Sequence, residues 1–209
     1  MLRIVLVLFL ALLLAVAAIR LVFAEPIGAA LFKRAVTAGV TRDRLAELPD
    51  GRIIAAVPVS HAPVEPAVGY RLDYTGRSVT ISGGTVRSEA LIALARDTDL
   101  LVHKALNGDM VGTIQDGLIK ADNPRLAHIM ADIPDYHTSP VEAASSATEA
   151  GAKALVLTHI VPVLPSRATR PAFLKGTDKA YDGPLILGED GMDFSFPTDG
   201  SKMQRRRFD

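Results

Sequence analysis

The chain opens on an apolar run. After Met1–Leu2–Arg3, residues Ile4 to Ile19 are almost all Leu, Val, Ala, Ile and Phe; Arg20 interrupts, and Leu21–Ala24 resume the pattern. A basic start, an apolar centre and a small residue at Ala24 predict a secretory signal peptide, with Val22–Phe23–Ala24 as an A-x-A-like site. The alternative is an uncleaved anchor over residues 4–23, close to the ~17–25 residues a spanning helix needs, with Arg20 snorkelling. A core helix is disfavoured because no polar face exists. Either form predicts an exported protein, periplasmic or membrane-anchored.

Residues 25–51 are mixed and charged, and read as a short helix and a linker ending at Pro49–Asp50–Gly51. From Arg52 the pattern becomes α/β. Arg52–Val59 is a strand; Val68–Tyr74 and Ser78–Ser82 form a hairpin about Thr75–Gly76. Ser88–Arg96 has helical spacing, with Leu91, Ile92 and Ala95 on one face. Leu100–Val102 is a short buried strand. Asn107–Ala131 holds helices broken near Asn123–Pro124. Ser139, Pro140 and Glu142 spell a capping box, and Gly151 closes that helix. Ala154–Thr158 is another buried strand, and Pro184–Leu187 with Met192–Phe196 predicts a final hairpin. The layout is therefore 1–24 leader or anchor, 25–51 linker, 52–198 folded domain and 199–209 a solvated basic tail containing Arg205–Arg206–Arg207.

Composition narrows the chemistry. The 209 residues carry 23 Lys+Arg and 23 Asp+Glu, so no net charge supports a broad basic face, and nucleic acid is not expected as a partner. Cysteine is absent, which excludes disulfides, thiol catalysis and cysteine-held metals. At 5 % aromatics and no tryptophan, stacking platforms are poorly supplied. What remains is histidine. Val79–Ser82 runs into Gly83–Gly84–Thr85, Leu100–Val102 into His103, and Leu155–Thr158 into His159. Right-handed crossovers make these strands parallel, with their carboxyl ends on the edge where α/β sheets bind ligands. His137 precedes the capped helix and can reach the same edge. His128 reads as structural.

The run His61-Ala-Pro-Val-Glu-Pro-Ala-Val-Gly-Tyr-Arg-Leu-Asp-Tyr, then Gly76-Arg-Ser-Val-Thr-Ile-Ser-Gly-Gly-Thr85, resembles metallo-β-lactamase-fold hydrolases, within them the ribonuclease Z and arylsulfatase-like branch. Leu101-Val-His103-Lys104-Ala, Tyr136-His137-Thr-Ser-Pro140 and Leu157-Thr-His159-Ile-Val-Pro162 continue the match in order, from about Arg52 to Phe196. The resemblance implies an αββα sandwich and a zinc pair holding a hydroxide that attacks a phosphodiester, sulfate ester or lactone-like substrate. It makes His159 a metal ligand, His137 the proton-transfer catalytic residue and His103 a supporting residue of the site; His61 is a recurrent position with no ligand role assigned.

The departures are informative. H-x-H-x-D-H is missing, Gly84 stands where the family has a bridging Asp, and Lys104 stands where it has Glu. The stretch through Leu48–Gly51 resembles the start of exported members of the branch, so the first half of the domain is missing between it and Arg52. The prediction is thus an α/β fold, the C-terminal half of a metallo-β-lactamase-like αββα sandwich preceded by an apolar helix. Zinc is the family's cofactor, and none is expected to be stably bound here. A bare apolar sheet face would call for a homodimer or partner chain, with the membrane as a further partner through residues 4–23. The function implied is a hydrolase inactive as this chain alone. The alternatives are a non-catalytic membrane-associated binding module, or half of a split enzyme completed by a partner.

Overall fold

A computed structural model describes residues 2–4, 44–47, 50–197 and 202–208. The body of the expected leader or anchor, and the short helix of the linker, fall on residues outside these.

The centre of the fold is a seven-stranded sheet. Its strands, in spatial order, are β2 (Arg44–Glu47), β3 (Ile53–Val59), β4 (Ala67–Tyr74), β5 (Arg77–Ile81), β6 (Leu100–Leu106), β7 (Leu155–Val161) and β8 (Leu185–Leu187). β2 to β5 are antiparallel neighbours, and β5 to β8 are parallel. Arg44–Glu47, expected as linker, extend the sheet as its edge strand. The β4–β5 hairpin turns at Thr75 and Gly76, whose φ values of 49° and 74° are the left-handed pair that a two-residue hairpin matching strand twist requires.

Helices occupy the crossovers between the parallel strands, as the pattern predicted. α1 (Glu89–Leu94) starts at Ser88, whose side chain accepts from the Leu91 N–H. α2 (Gly108–Lys120) and α3 (Pro124–Asp132) start at Asn107 and Asn123 in the same way. α4 (Pro140–Ala150) has the full capping box: the Glu142 N–H donates to Ser139 Oγ at 3.2 Å, and the Ser139 N–H donates to Glu142 Oε2 at 2.9 Å. It ends on Gly151 at φ 64°, the left-handed cap that glycine adopts without steric penalty. Two short helices, α5 (Arg170–Phe173) and α6 (Thr177–Ala180), lead to β8.

Strand alternation sorts the core into two sides. Leu101, Leu155 and Leu157 face the helices and meet Ala143, Ala144, Ala147 and Ala150 of α4, all buried. A face of alanines has little volume, so α4 lies close on the sheet. Leu100, Val102 and Val156, one residue out of phase, point the other way, as a period of two demands.

That second side corrects several expectations. β9 (Met192–Phe196) does not return as a hairpin partner of β8. It crosses to a second sheet, antiparallel to both β1 (Leu2–Ile4) and β10 (Gln204–Arg207). Phe194 and Phe196, both buried, pack on Val79, Leu100, Val102, Ala154 and Val156. Part of the face expected to be bare is therefore covered by the chain's own aromatic residues. Residues 2–4, read as the head of a leader helix, bond their backbone into this sheet. The arginine tail is strand rather than loose chain, with its side chains exposed.

Candidate functional site

The carboxyl ends of the parallel strands open on a cleft of about 870 Å³, within the range usual for ligand sites. Ser82, Gly83 and Gly84 enter it from the end of β5, Val102 and Lys104 from β6, Thr158 and His159 from β7, and His61 from the loop after β3. Arg167, Arg170, Glu189 and Asp190 stand around it. His159 has φ 47°, a left-handed conformation uncommon for a non-glycine residue. Such backbone departures cluster at functional sites.

Imidazoles gather at one end of the cleft: His61 and His159 line it, and His137 packs against both. The ring centroids of His61 and His137 are 5.2 Å apart, edge to face. Those of His137 and His159 are 5.9 Å apart with planes only 9° from parallel. Tyr136 packs on both His61 and His137. Nδ1 of His61 lies 2.8 Å from the Tyr136 carbonyl, and Nδ1 of His137 lies 2.8 Å from the Ile133 carbonyl. A carbonyl only accepts, so Nδ1 is the donor in both rings. The acceptor carbonyls come from the 3₁₀ turn Ile133–Tyr136, which the sequence places directly before the α4 cap.

The charge in the cleft is positive. Lys104 is largely withdrawn from water, and burial lowers the pKa of its ammonium. Burial lowers His137 and His159 too, and the Lys104 charge adds to the effect on each. Among the described residues Lys104 has no carboxylate partner. Glu189, also in the lining, is already held by Arg170 and by Arg207 of β10.

Gly84 faces His61 directly. A Cβ at position 84 would lie 2.8 Å from both Cδ2 and Nε2 of His61. The ring thus occupies the space a side chain at 84 would need. Among the described residues, no group of three or more His, Asp or Glu side chains is disposed to hold a metal ion.

Of the residues singled out from sequence, His137, His159 and Gly84 come together here. His103 does not line the cleft. It shares the strand face of Leu101, is fully buried under the helices, and has its Nδ1 2.7 Å from the Lys104 carbonyl while Nε2 has no partner among the described residues. Burial pushes its pKa down to about 4, so it is neutral at pH 7. Its neighbour Lys104 points the opposite way, as successive strand residues must. His128 is exposed on α3, 3.3 Å from Asp132. His61 is the member that spacing alone did not assign; its signal was its place in the run before Gly69–Tyr70–Arg71.

This architecture and sequence have known relatives. A 155-residue segment is 36 % identical to a protein of Mycobacterium tuberculosis named putative ribonuclease Z, covering 74 % of this chain and 61 % of that protein. A 115-residue segment is 40 % identical to ribonuclease Z of Mycobacterium avium, covering 55 % and 37 % respectively. Among solved structures, the metallo-β-lactamase fold protein YhfI from Bacillus subtilis superposes with a TM-score of 0.51 at 18 % identity, over 74 % of this chain and 54 % of that one. No protein-family model matches the chain.

The chain has the metallo-β-lactamase fold, and over 155 residues its sequence is similar to ribonuclease Z. It spans about half the length of the curated relatives it matches.

These relatives overturn the expectation of an exported, periplasmic or membrane-anchored protein. They are ribonuclease Z proteins, not the exported members that the apolar start suggested. Neither the signal peptide nor the transmembrane anchor finds support. Among the described residues no helix is long and apolar enough to cross a membrane, and residues 2–4 are a strand.

Proposed function

We propose that this chain is a ribonuclease Z-like hydrolase-fold module that does not assemble the family's zinc pair from its own cleft residues. The carrying observation is Gly84 against His61. The bridging carboxylate of the resemblance is replaced by a glycine, and the space its side chain would fill is taken by an imidazole.

Two divalent ions need anionic ligands between and around them, because their mutual repulsion is large in a half-buried site. Beside its imidazoles this cleft offers the Lys104 ammonium, and of the two carboxylates in its lining Glu189 is held by Arg170 and Arg207. The donor set does not fit a zinc pair. The roles that the resemblance assigns, metal ligand for His159, proton transfer for His137 and support for His103, are therefore vestigial in this reading. Hydrolysis belongs to proteins of which this chain spans about half.

The test is zinc per chain by elemental analysis, on full-length protein purified with zinc present. A value well below one is expected. Close to two zincs per chain would overturn the reading, because it would require ligands this cleft does not present.

A further inference from the structure

Phe194 and Phe196 close only part of the apolar sheet face. Ile81 and Val102 belong to that face and also line the cleft, so the cleft lies beside the phenylalanines, over the part they leave open. We propose that it binds a carboxylate carrying an unbranched alkyl tail, the carboxylate on the Lys104 ammonium and the tail along the open apolar face. This rests on the reading that no zinc pair occupies the cleft.

Three observations carry it. The first is register. Tyr70 is paired with Ile81, and Ile81 with Val102. These three side chains therefore stand in one row across β4, β5 and β6, and all of them line the cleft, with Val68 beside Tyr70. Two strand spacings make the row about 10 Å long. An extended chain advances about 1.2 Å per bond, so the row accommodates a tail of about eight carbons.

The second is charge. Lys104 follows Val102 by two residues, so it stands on the same face at the end of the row. It is half-buried and has no carboxylate partner among the described residues. An ammonium withdrawn from water without a counter-ion is costly, and a carboxylate bound to it offsets that cost. The two carboxylates of the lining do not fill this role: Glu189 is held by Arg170 and Arg207, and Asp190 is exposed. A single ammonium is balanced by a single negative charge.

The third is exposure. Val163 and Val64 are the most exposed large apolar side chains among the described residues, at 85 % and 59 %, and both line the cleft. An alkyl chain lying between them removes apolar surface from water on both sides.

The experiment is isothermal titration of the full chain at pH 7.5 in buffer containing EDTA. The probes are acetate, hexanoate, octanoate and octan-1-ol. Octanoate is expected to bind one per chain with a dissociation constant on the order of 0.1 mM. Affinity should rise about fourfold per methylene from hexanoate to octanoate. Acetate should show no binding, and octan-1-ol should bind at least tenfold more weakly than octanoate. Lys104→Met should weaken octanoate at least tenfold while leaving octan-1-ol unchanged. Val163→Asp, at a site too exposed to disturb the core, should weaken octanoate at least threefold, and the exposed control Lys120→Met should leave it unchanged. Far-ultraviolet circular dichroism confirms that the variants fold; should Lys104→Met fail, Lys104→Gln replaces it.

Equal binding of octanoate and octan-1-ol, no gain with chain length, or unaltered octanoate affinity in the Lys104 variant overturns the proposal. The rival occupant is a second copy of the chain: a dimer by light scattering that takes up no octanoate overturns it as well. No octanoate binding together with zinc below one per chain overturns the proposal and leaves the preceding reading intact. Octanoate binding that appears only on adding zinc overturns both.

Discussion

The contact between Gly84 and His61 makes a quantitative prediction about packing. A Cβ at 84 would fall 2.8 Å from two ring atoms of His61, well inside van der Waals contact. Gly84→Ala therefore forces the imidazole to move. Overpacking of this kind costs about 1–3 kcal/mol. Displacing the ring also breaks the 2.8 Å bond from Nδ1 to the Tyr136 carbonyl, worth about 0.5–1.5 kcal/mol. The backbone at Gly84 is not left-handed, so the alanine carries no conformational penalty of its own. In a His61→Ala background the clash disappears. There Gly84→Ala should be neutral or stabilise by about 0.4–1 kcal/mol, through the lower entropy of the unfolded chain. The two substitutions should thus couple by about 2–4 kcal/mol. Urea denaturation of the four proteins measures this as a double-mutant cycle. Additivity within about 0.5 kcal/mol would show that His61 does not fill the space above Gly84, and would remove the basis for reading position 84 as closed to a carboxylate.

Further predictions address the rest of the fold and site. Gly84→Asp alone should produce no zinc-dependent hydrolysis of bis(4-nitrophenyl) phosphate, since it adds one carboxylate beside a lysine; measurable turnover would refute the electrostatic argument. His103 has a folded-state pKa near 4 against about 6.5 when unfolded, so between those values the unfolded chain binds more protons. Its contribution is complete above about pH 6.5 and is lost as pH falls towards 4, by on the order of 3 kcal/mol; His103→Leu should flatten that part of the stability–pH curve. Phe194→Ala, at a side chain fully buried against β5, β6 and β7, should cost about 3–5 kcal/mol in denaturant unfolding, whereas a cost below 1 kcal/mol would mean that β9 does not cover the sheet. Ser139→Ala removes the α4 cap and should cost about 1 kcal/mol, read as a fall of about 2–4 °C in the thermal midpoint.

What could be read from the chain in one dimension was local. The Thr75–Gly76 turn, the Ser139–Glu142 box, the Gly151 cap and the buried runs of β6 and β7 each depend on residues a few positions apart, so their physics is complete within a short window. The common edge of the parallel strands followed from crossover handedness, which is a property of L-amino acids rather than of this protein. The end of the strand Ala154–Thr158 placed His159 at that edge with His137 in reach of it, and family resemblance then gave both their expected roles.

The site itself was settled in three dimensions. His61, Gly84, His137 and His159 come from four separated segments, and no spacing rule brings His61 onto Gly84; only the packing of the loop after β3 against the 3₁₀ turn before α4 does so. Adjacent residues were parted for a similar reason. His103 and Lys104 are neighbours in one motif, yet strand alternation sends the first under the helices and the second into the cleft, and which face holds the cleft depends on the whole sheet. The same holds for Phe194 and Phe196. An alternating strand at the end of the chain can pair as a hairpin or in a second sheet, and in the second sheet its phenylalanines bury the apolar face formed by Leu100, Val102 and Val156.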